Sequence, residues 1–293
     1  MRAPSAAESY PSAPLVALDT LWFQVAGTLC NIACTHCFIS SSPTNRSHAM
    51  LTLADVRRRL DEAEPLGVRE YYFTGGEPFL NPEIFPILEE ALLRGPVTVL
   101  TNGLPLTPER CRRLKRMFDV AEYSLDLRVS IDGYTADAND PIRGAGTFVR
   151  ILQGIRNLAE AGLNPVVTVT EACSDAATAE GRTRFLGWMR EIGLRQPRLK
   201  VLSLFRIGAE VERMRAYESW ETLRGRELSG GEAEALQCSS CRMVTSRGVY
   251  VCPILIEEPA ANMGATLAET MRPFELRFSS CFTCHEYGVT CRT

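Results

Sequence analysis

Cys30-Asn31-Ile32-Ala33-Cys34-Thr35-His36-Cys37 places three thiols on one short stretch, directly after the β-rich run Leu21–Val25. Outward from it, short β-branched and aromatic runs alternate with longer amphipathic stretches. Strands are expected at Leu21–Val25, Glu70–Phe73, Val97–Leu100, Leu127–Ile131, Val166–Thr170 and Lys200–Phe205. Helices are expected near Leu53–Glu64, Pro82–Leu93, Pro108–Phe118, Thr147–Ala161 and Ala179–Ile192. Thr52, Asn81-Pro82 and Thr107-Pro108 open the first three, and Gly67, Gly95, Gly162 and Gly193 fall just past helix ends. Strands separated by helices make parallel βα units with right-handed crossovers. A full eight-stranded barrel takes about 250 residues, and here the alternation stops near Phe205. The expected fold is therefore α/β, a partial (β/α)6 TIM-like barrel, with a doubly wound open sheet as the alternative.

The 293-residue chain is long enough for one barrel-sized domain and a small appendage. A formal net charge of −3 gives no reason to expect a nucleic-acid partner. Arg57-Arg58-Arg59 and the run Arg110 to Arg116 lie in helical patterns with acids nearby and read as solvated faces. No run approaches the roughly 18 apolar residues of a membrane span, and Met1 to Pro14 lacks the apolar core of a signal peptide. The expectation is a cytoplasmic protein with no membrane partner, in which thiols stay reduced. Eleven cysteines, mostly clustered, then point to metal rather than disulfides. The expected organisation is a disordered lead-in over 1–17, a barrel over 18–207, a polar helical bridge over 208–235 and a cysteine-rich domain over 236–293.

Three thiolates on one loop can each take an iron of a cubane, leaving a fourth iron open to a substrate-like molecule. The plain alternative is a zinc site completed by His36 or His48, but zinc prefers four tetrahedral ligands and this spacing is unusual for it. The stretch resembles the signature of the radical S-adenosylmethionine superfamily, Cys-x3-Cys-x-aromatic-Cys, with His36 in the aromatic slot. The resemblance implies that Cys30, Cys34 and Cys37 hold a [4Fe–4S] cluster whose open iron binds S-adenosylmethionine. A 5′-deoxyadenosyl radical then forms and abstracts a hydrogen atom. It also implies an electron donor such as a reductase, a flavodoxin or a ferredoxin.

Further candidates follow the strands. Gly75-Gly76-Glu77-Pro78 offers backbone close to a ligand and a carboxylate for an ammonium group; it also matches the superfamily motif that binds the methionine amino group. Asn102, in Thr101-Asn102-Gly103, is a candidate for holding the rim. The resemblance places Ser130 and Asp132 near the ribose, and Arg143 on the methionine carboxylate as a bidentate guanidinium. Thr170 is expected near the adenine or ribose. Glu171 and Cys173 are expected on the substrate side, with packing the plainer role for Cys173. Cys111 reads as a buried hydrophobe, and Arg206 as a residue able to face the same pocket.

Past the bridge come Cys238-x2-Cys241-x10-Cys252 and Cys281-x2-Cys284-x6-Cys291. Two Cys-x2-Cys pairs suit a four-thiolate zinc site, yet two cysteines would be left over. Gly248-Val249-Tyr250-Val251-Cys252-Pro253 resembles the Twitch and SPASM auxiliary-cluster domains, and six cysteines favour the single cluster of a Twitch domain. One auxiliary [4Fe–4S] cluster is expected on Cys241, Cys252, Cys281 and Cys284, with Cys238 in reserve. A leftover thiol, Cys238 or Cys291, is a candidate to return a hydrogen atom to a substrate radical. His285 reads as a surface residue. The function expected is oxidation or epimerisation of a small hydroxylated molecule, of sugar or aminocyclitol type. A peptide-modifying maturase comes second, because no leader-recognition domain precedes the barrel. An electron carrier or zinc-stabilised binding module is the non-enzyme alternative.

Overall fold

The computed structural model of the chain describes residues 9–288. Its strands are β1 (Ser12–Ala13), β2 (Thr20–Gln24), β3 (Glu70–Thr74), β4 (Val97–Thr101), β5 (Leu125–Ser130), β6 (Val166–Thr170), β7 (Arg198–Leu202), β8 (Cys241–Thr245), β9 (Gly248–Tyr250), β10 (Asn262–Gly264) and β11 (Phe274–Glu275). The helices are α1 (Leu53–Ala63), α2 (Ile84–Leu92), α3 (Pro108–Val120), α4 (Ala136–Arg143), α5 (Thr147–Glu160), α6 (Ala179–Glu191), α7 (Glu210–Arg213), α8 (Gly230–Ala235) and α9 (Ser279–Tyr287). One sheet runs in the order β10-β9-β8-β2-β3-β4-β5-β6-β7. From β8 to β7 its pairings are all parallel, and β9 and β10 close one edge antiparallel. This is the partial TIM-like barrel.

The period of two along each strand decides what faces inward. Leu21, Phe23, Tyr71, Phe73, Val97, Val99, Leu127, Val129 and Val167 are buried in the main core with residues of α1, α2, α3 and α5. The alternate residues Trp22, Gln24, Thr74, Leu100, Arg128, Ser130, Thr168, Thr170, Leu202 and Met243 line the interior cavity. β2 is buried at all five positions, as a central parallel strand covered on both faces must be.

The six expected strands are present, and β8 adds a seventh parallel one from the cysteine-rich segment. Thr20, Leu21, Trp22 and Phe23 register with Cys241, Arg242, Met243 and Val244. The start of the C-terminal segment is thus part of the barrel sheet. The lead-in departs from its expected disorder: Ser12 and Ala13 pair with Glu275 and Phe274, and Ala13 is buried. The bridge is less helical than its polarity suggests, holding only α7 and α8. Glu221 anchors it instead, taking Arg206 and Arg215 as ion-pair partners. Gly230-Gly231 opens α8, where Ser229 caps the helix and forms a capping box with Glu232. α4 is an addition, capped by Thr135 and tolerating Pro141 inside it. No helix among the described residues is long and apolar enough to cross a membrane.

Because β8 covers an edge of β2, a chain ending at Ala235 should expose a row of unpaired backbone and the apolar flank of Trp22. We expect that truncation to aggregate or to lose its cooperative melt in circular dichroism. A sharp melt at the full-length temperature would show that 241–245 is dispensable to the barrel.

Candidate active site

The cysteine loop is held mainly by backbone. Cys30 N–H donates to Ser42 O at 3.1 Å, Thr35 N–H to Ile142 O at 2.9 Å, and Ala209 N–H to Cys37 O at 3.0 Å. Gly76 and Glu77 donate their N–H groups to Gly27 O and Leu29 O at 2.8 and 3.0 Å. A Cβ on Gly76 would lie 2.0 Å from Leu29 O, so only glycine permits this clasp. The double glycine therefore brings backbone against the cysteine loop as well as against the cavity.

One cavity gathers Cys30, Cys34, His36, Cys37, Gly75, Gly76, Asn102, Ser130, Arg143 and Thr170. It lies where these strands end, the C-terminal rim at which barrels of this kind place their chemistry. Asn102 Nδ2 donates to Asn31 Oδ1 at 2.6 Å and lies 3.5 Å from Cys30 Sγ. Ser41 N–H donates to Cys37 Sγ at 3.2 Å. Burial pushes the Cys30 thiol up to about 11 and the Cys34 thiol up to about 12. Thiols crowded in a dry pocket become thiolates only beside a cation, and the iron of a cluster supplies one. Among the described residues no three His, Cys, Asp or Glu side chains converge as they would on a single ion. Each iron of a cubane takes one protein thiolate, so cluster ligands need not converge in that way. The donor set fits the cluster.

Four expected contacts are redirected. Asp132 is fully buried and outside the cavity lining. Its Oδ1 accepts from the Thr170 hydroxyl at 2.6 Å and Thr170 N–H at 3.0 Å; its Oδ2 lies 2.6 Å from His36 Nε2 and 2.7 Å from Arg143 Nε. Burial works to raise its pKa, but the Arg143 guanidinium and His36 outweigh it and hold the carboxyl far below the usual range. Asp132 thus organises the rim instead of meeting a ribose. Arg143 keeps one edge on Asp132 and sets Nη1 4.0 Å from Cys34 Sγ. Glu77 is fully buried, accepting from Phe79 N–H at 3.1 Å, the Thr101 hydroxyl at 2.8 Å and Asn102 N–H at 2.8 Å. With both oxygens engaged it pins the end of β4, and neither Glu77 nor Pro78 lines the cavity.

The expected substrate-side residues also separate. Glu171 is exposed over a neighbouring depression with Arg206 and Arg215, which shares Ser203 and Leu204 with the main cavity. Cys173 packs in a small apolar cluster with Val169, Ala176 and Phe185. Arg206 turns to Glu221 and to the Tyr217 ring. Cys111 is buried in the main core, as expected. His48 is buried 3.3 Å from Glu257, away from the cysteine loop's thiols. The inner-wall residues Trp22, Gln24, Arg128 and Thr168 were missed in the sequence. Their signal was the polar residues Gln24, Arg128 and Thr168 at inward positions of otherwise apolar strands.

A second cavity is lined by Cys238, Cys252, Cys281 and Cys284 with Leu236, Ile254, Leu255, Phe274 and Leu276. Burial pushes the thiols of Cys238 and Cys281 up to about 11 and about 12. Cys252 stands well above the usual value through burial and then its neighbouring thiols. Cys241 is absent from this lining: strand alternation turns it to the face of Trp22 and Met243, with Sγ 3.8 Å from Val251 O. The structure thus brings Cys238 to the expected group of Cys252, Cys281 and Cys284, and keeps Cys241 beside them in the same buried cluster, where it acts on Cys252 more strongly than the other thiols do. Beside it, Arg242 is fully buried and donates to the carbonyls of Cys238, Cys241, Thr270 and Arg272. A fixed cation there suits an anionic cluster. Cys291 lies outside the described residues. His285 is half-buried near the surface, beside the exposed carboxylates of Glu232 and Glu286.

A family model described as the Radical SAM superfamily matches residues 25–172. The mycofactocin maturase MftC of Mycobacterium ulcerans is 30% identical over 253 residues, covering 78% of this chain and 67% of that protein. The AdoMet-dependent heme synthase of Methanosarcina barkeri is 36% identical over 144 residues, covering 48% of this chain and 38% of that protein. A solved structure described as native anSMEcpe with bound AdoMet superimposes with a TM-score of 0.62 at 16% identity. It covers 86% of this chain and 79% of that one, a likeness of fold.

Burial pushes the Glu77 carboxyl up to about 7, above its ordinary 4.5, against three hydrogen bonds that pull it down. A carboxyl raised on folding favours the folded state most at low pH, and that contribution fades as pH rises through about 7. The melting temperature of Glu77→Gln, measured without ligand, should therefore depend less on pH between 5 and 7 than that of wild type. Parallel curves for the two proteins would contradict this account of Glu77.

Proposed function

The chain belongs to the radical SAM superfamily, and on that premise we propose that it is a peptide-modifying maturase of the mycofactocin-maturase type. The observation that carries the reading is the single cavity shared by Cys30, Cys34 and Cys37 with Gly75, Gly76, Asn102, Ser130, Arg143 and Thr170. Cluster and S-adenosylmethionine are the family's cofactors; when bound, they supply a 5′-deoxyadenosyl radical that takes a hydrogen atom from substrate. The chain's own part is to hold three thiols on a clasped loop and to present Arg143 beside Cys34 as a guanidinium for a carboxylate. Ser130 and Thr170 present hydroxyls at the rim, and the apolar residues Ile32, Phe38, Leu204 and Phe205 limit water at the mouth. A small hydroxylated substrate gives way to a peptide because a relative that is 30% identical over 78% of the chain is a maturase. Electrons come from a reductase, flavodoxin or ferredoxin.

We assign the second cavity to one auxiliary [4Fe–4S] cluster on Cys238, Cys252, Cys281 and Cys284. This removes Cys238 from the candidates for hydrogen return. Four thiolates from one buried pocket leave no iron open, so its role is electron transfer rather than substrate binding.

Anaerobically reconstituted protein given dithionite and S-adenosylmethionine should release 5′-deoxyadenosine, and Cys34→Ala should lower the rate at least about a hundredfold, or about 2.7 kcal/mol. Equal product from both proteins would refute the assignment. Iron content tests the second site: about eight irons per chain should fall towards about four in Cys238→Ala and stay near eight in Cys241→Ala. The reverse pattern would return Cys241 to the ligand set.

A further inference from the structure

Gln24 stands on the inner wall at the end of β2, in register with Thr74. It is fully buried and lines the main cavity, yet neither its Nε2 nor its Oε1 has a hydrogen-bond partner. Thr168, on β6 of the same cavity, is 5% exposed and its Oγ1 is likewise unpartnered. The Trp22 indole Nε1 adds a donor without a partner on the face of Gln24. Trp22, Leu100, Met243 and Ile256 make the neighbouring wall apolar. An orphaned amide in such surroundings gives up its hydration with nothing in return. A core position does not retain both ends of an amide in that state, because Leu or Met would fill the same volume at no such cost.

The complement of a side-chain amide follows from its chemistry. Nε2 needs an acceptor and Oε1 needs a donor, side by side and in one plane. A secondary amide offers that pair, its carbonyl oxygen to Nε2 and its N–H to Oε1. An ester, an ether or an alkyl chain offers no donor. We propose that Gln24, with Thr168 beside the same bound group, is a specificity-determining residue that reads one backbone amide of the substrate and so selects a peptide unit. This rests on the peptide-maturase reading above and names what that reading lacks, the group by which this barrel recognises a peptide bond.

The test uses reconstituted holoenzyme with S-adenosylmethionine and acetyl-Ala-Phe-Ala-methylamide. Depsipeptide versions replace each N–H in turn by an ester oxygen. Binding is read by anaerobic calorimetry. Against wild type, one depsipeptide should bind about tenfold more weakly than the parent, the effect of one net hydrogen bond. In Gln24→Leu that penalty should vanish, whereas Gln24→Glu, which keeps the acceptor, should retain it. Equal binding of all depsipeptides to wild type, persistence of the penalty in Gln24→Leu, or no binding of the parent at millimolar concentration would each overturn the proposal. Release of 5′-deoxyadenosine once dithionite is added to the same samples separates the two claims. If it forms while no N–H matters, the radical-enzyme reading stands and the role of Gln24 falls. If none forms, both fall.

Discussion

The buried pairing of Asp132 with Arg143 is the constraint on which the rim depends. Taking both charges out of water is costly, and their attraction offsets that cost only if the remaining hydrogen-bonding positions are filled. Here they are: Thr170 takes one carboxylate oxygen, and His36 shares the other with Arg143. One side chain after β5 therefore ties together the cysteine loop through His36, the end of β6 through Thr170 and the last turn of α4 through Arg143. Ile142 O, next to Arg143, also accepts from Thr35 N–H. The cysteine loop and α4 are thus fixed to each other twice, and three thiols keep their relative positions without regular secondary structure of their own.

Within the barrel, function is divided by the pleat. Odd-numbered residues of β2 and β3 build the apolar layer under the helices. Even-numbered ones build an inner wall that becomes more polar towards the mouth, from Trp22 stacked on Tyr72 at 4.3 Å to Gln24 and Thr74. The same alternation on β8 puts Cys241 and Met243 on one face and Arg242 on the other. Arg242, facing the opposite way from Cys241, ties the backbone of Cys238 and Cys241 to Thr270 and Arg272. The two cysteine sites are consequently carried by one continuous sheet.

Much of the barrel and the first cysteine site was legible in the sequence, because both rest on local signals. Strand runs, helix caps at Thr52 and Thr107, and thiols close together on one loop need no distant partner to be read. The failures share a cause. Whether Glu77 and Asp132 point into the cavity or into the rim depends on donors from other loops, Asn102 and His36, which sequence spacing does not reveal. The place of β8 next to β2 is set by a pairing across more than two hundred residues. Cys241 packs in the same buried cluster as the other thiols yet stands outside the cavity lining, and a Cys-x2-Cys spacing carries no information about facing. α4 has little signal in the sequence, because it is short, holds Pro141 inside it and stops at Gly144.

The pairing of β8 with β2 also sets an order of assembly. Cys30, Cys34 and Cys37 leave the ribosome long before Cys241–Thr245, yet β2, the strand that leads into their loop, gains its second neighbour only when those residues arrive. Contacts of such sequence separation form late and slow folding. During synthesis the cysteine loop therefore hangs from a half-covered strand, open to whatever delivers iron and sulfide. Completion of the chain then closes the barrel flank and brings the second thiol pocket into being. Closure of the barrel flank and formation of the second thiol pocket are, in this architecture, one late event.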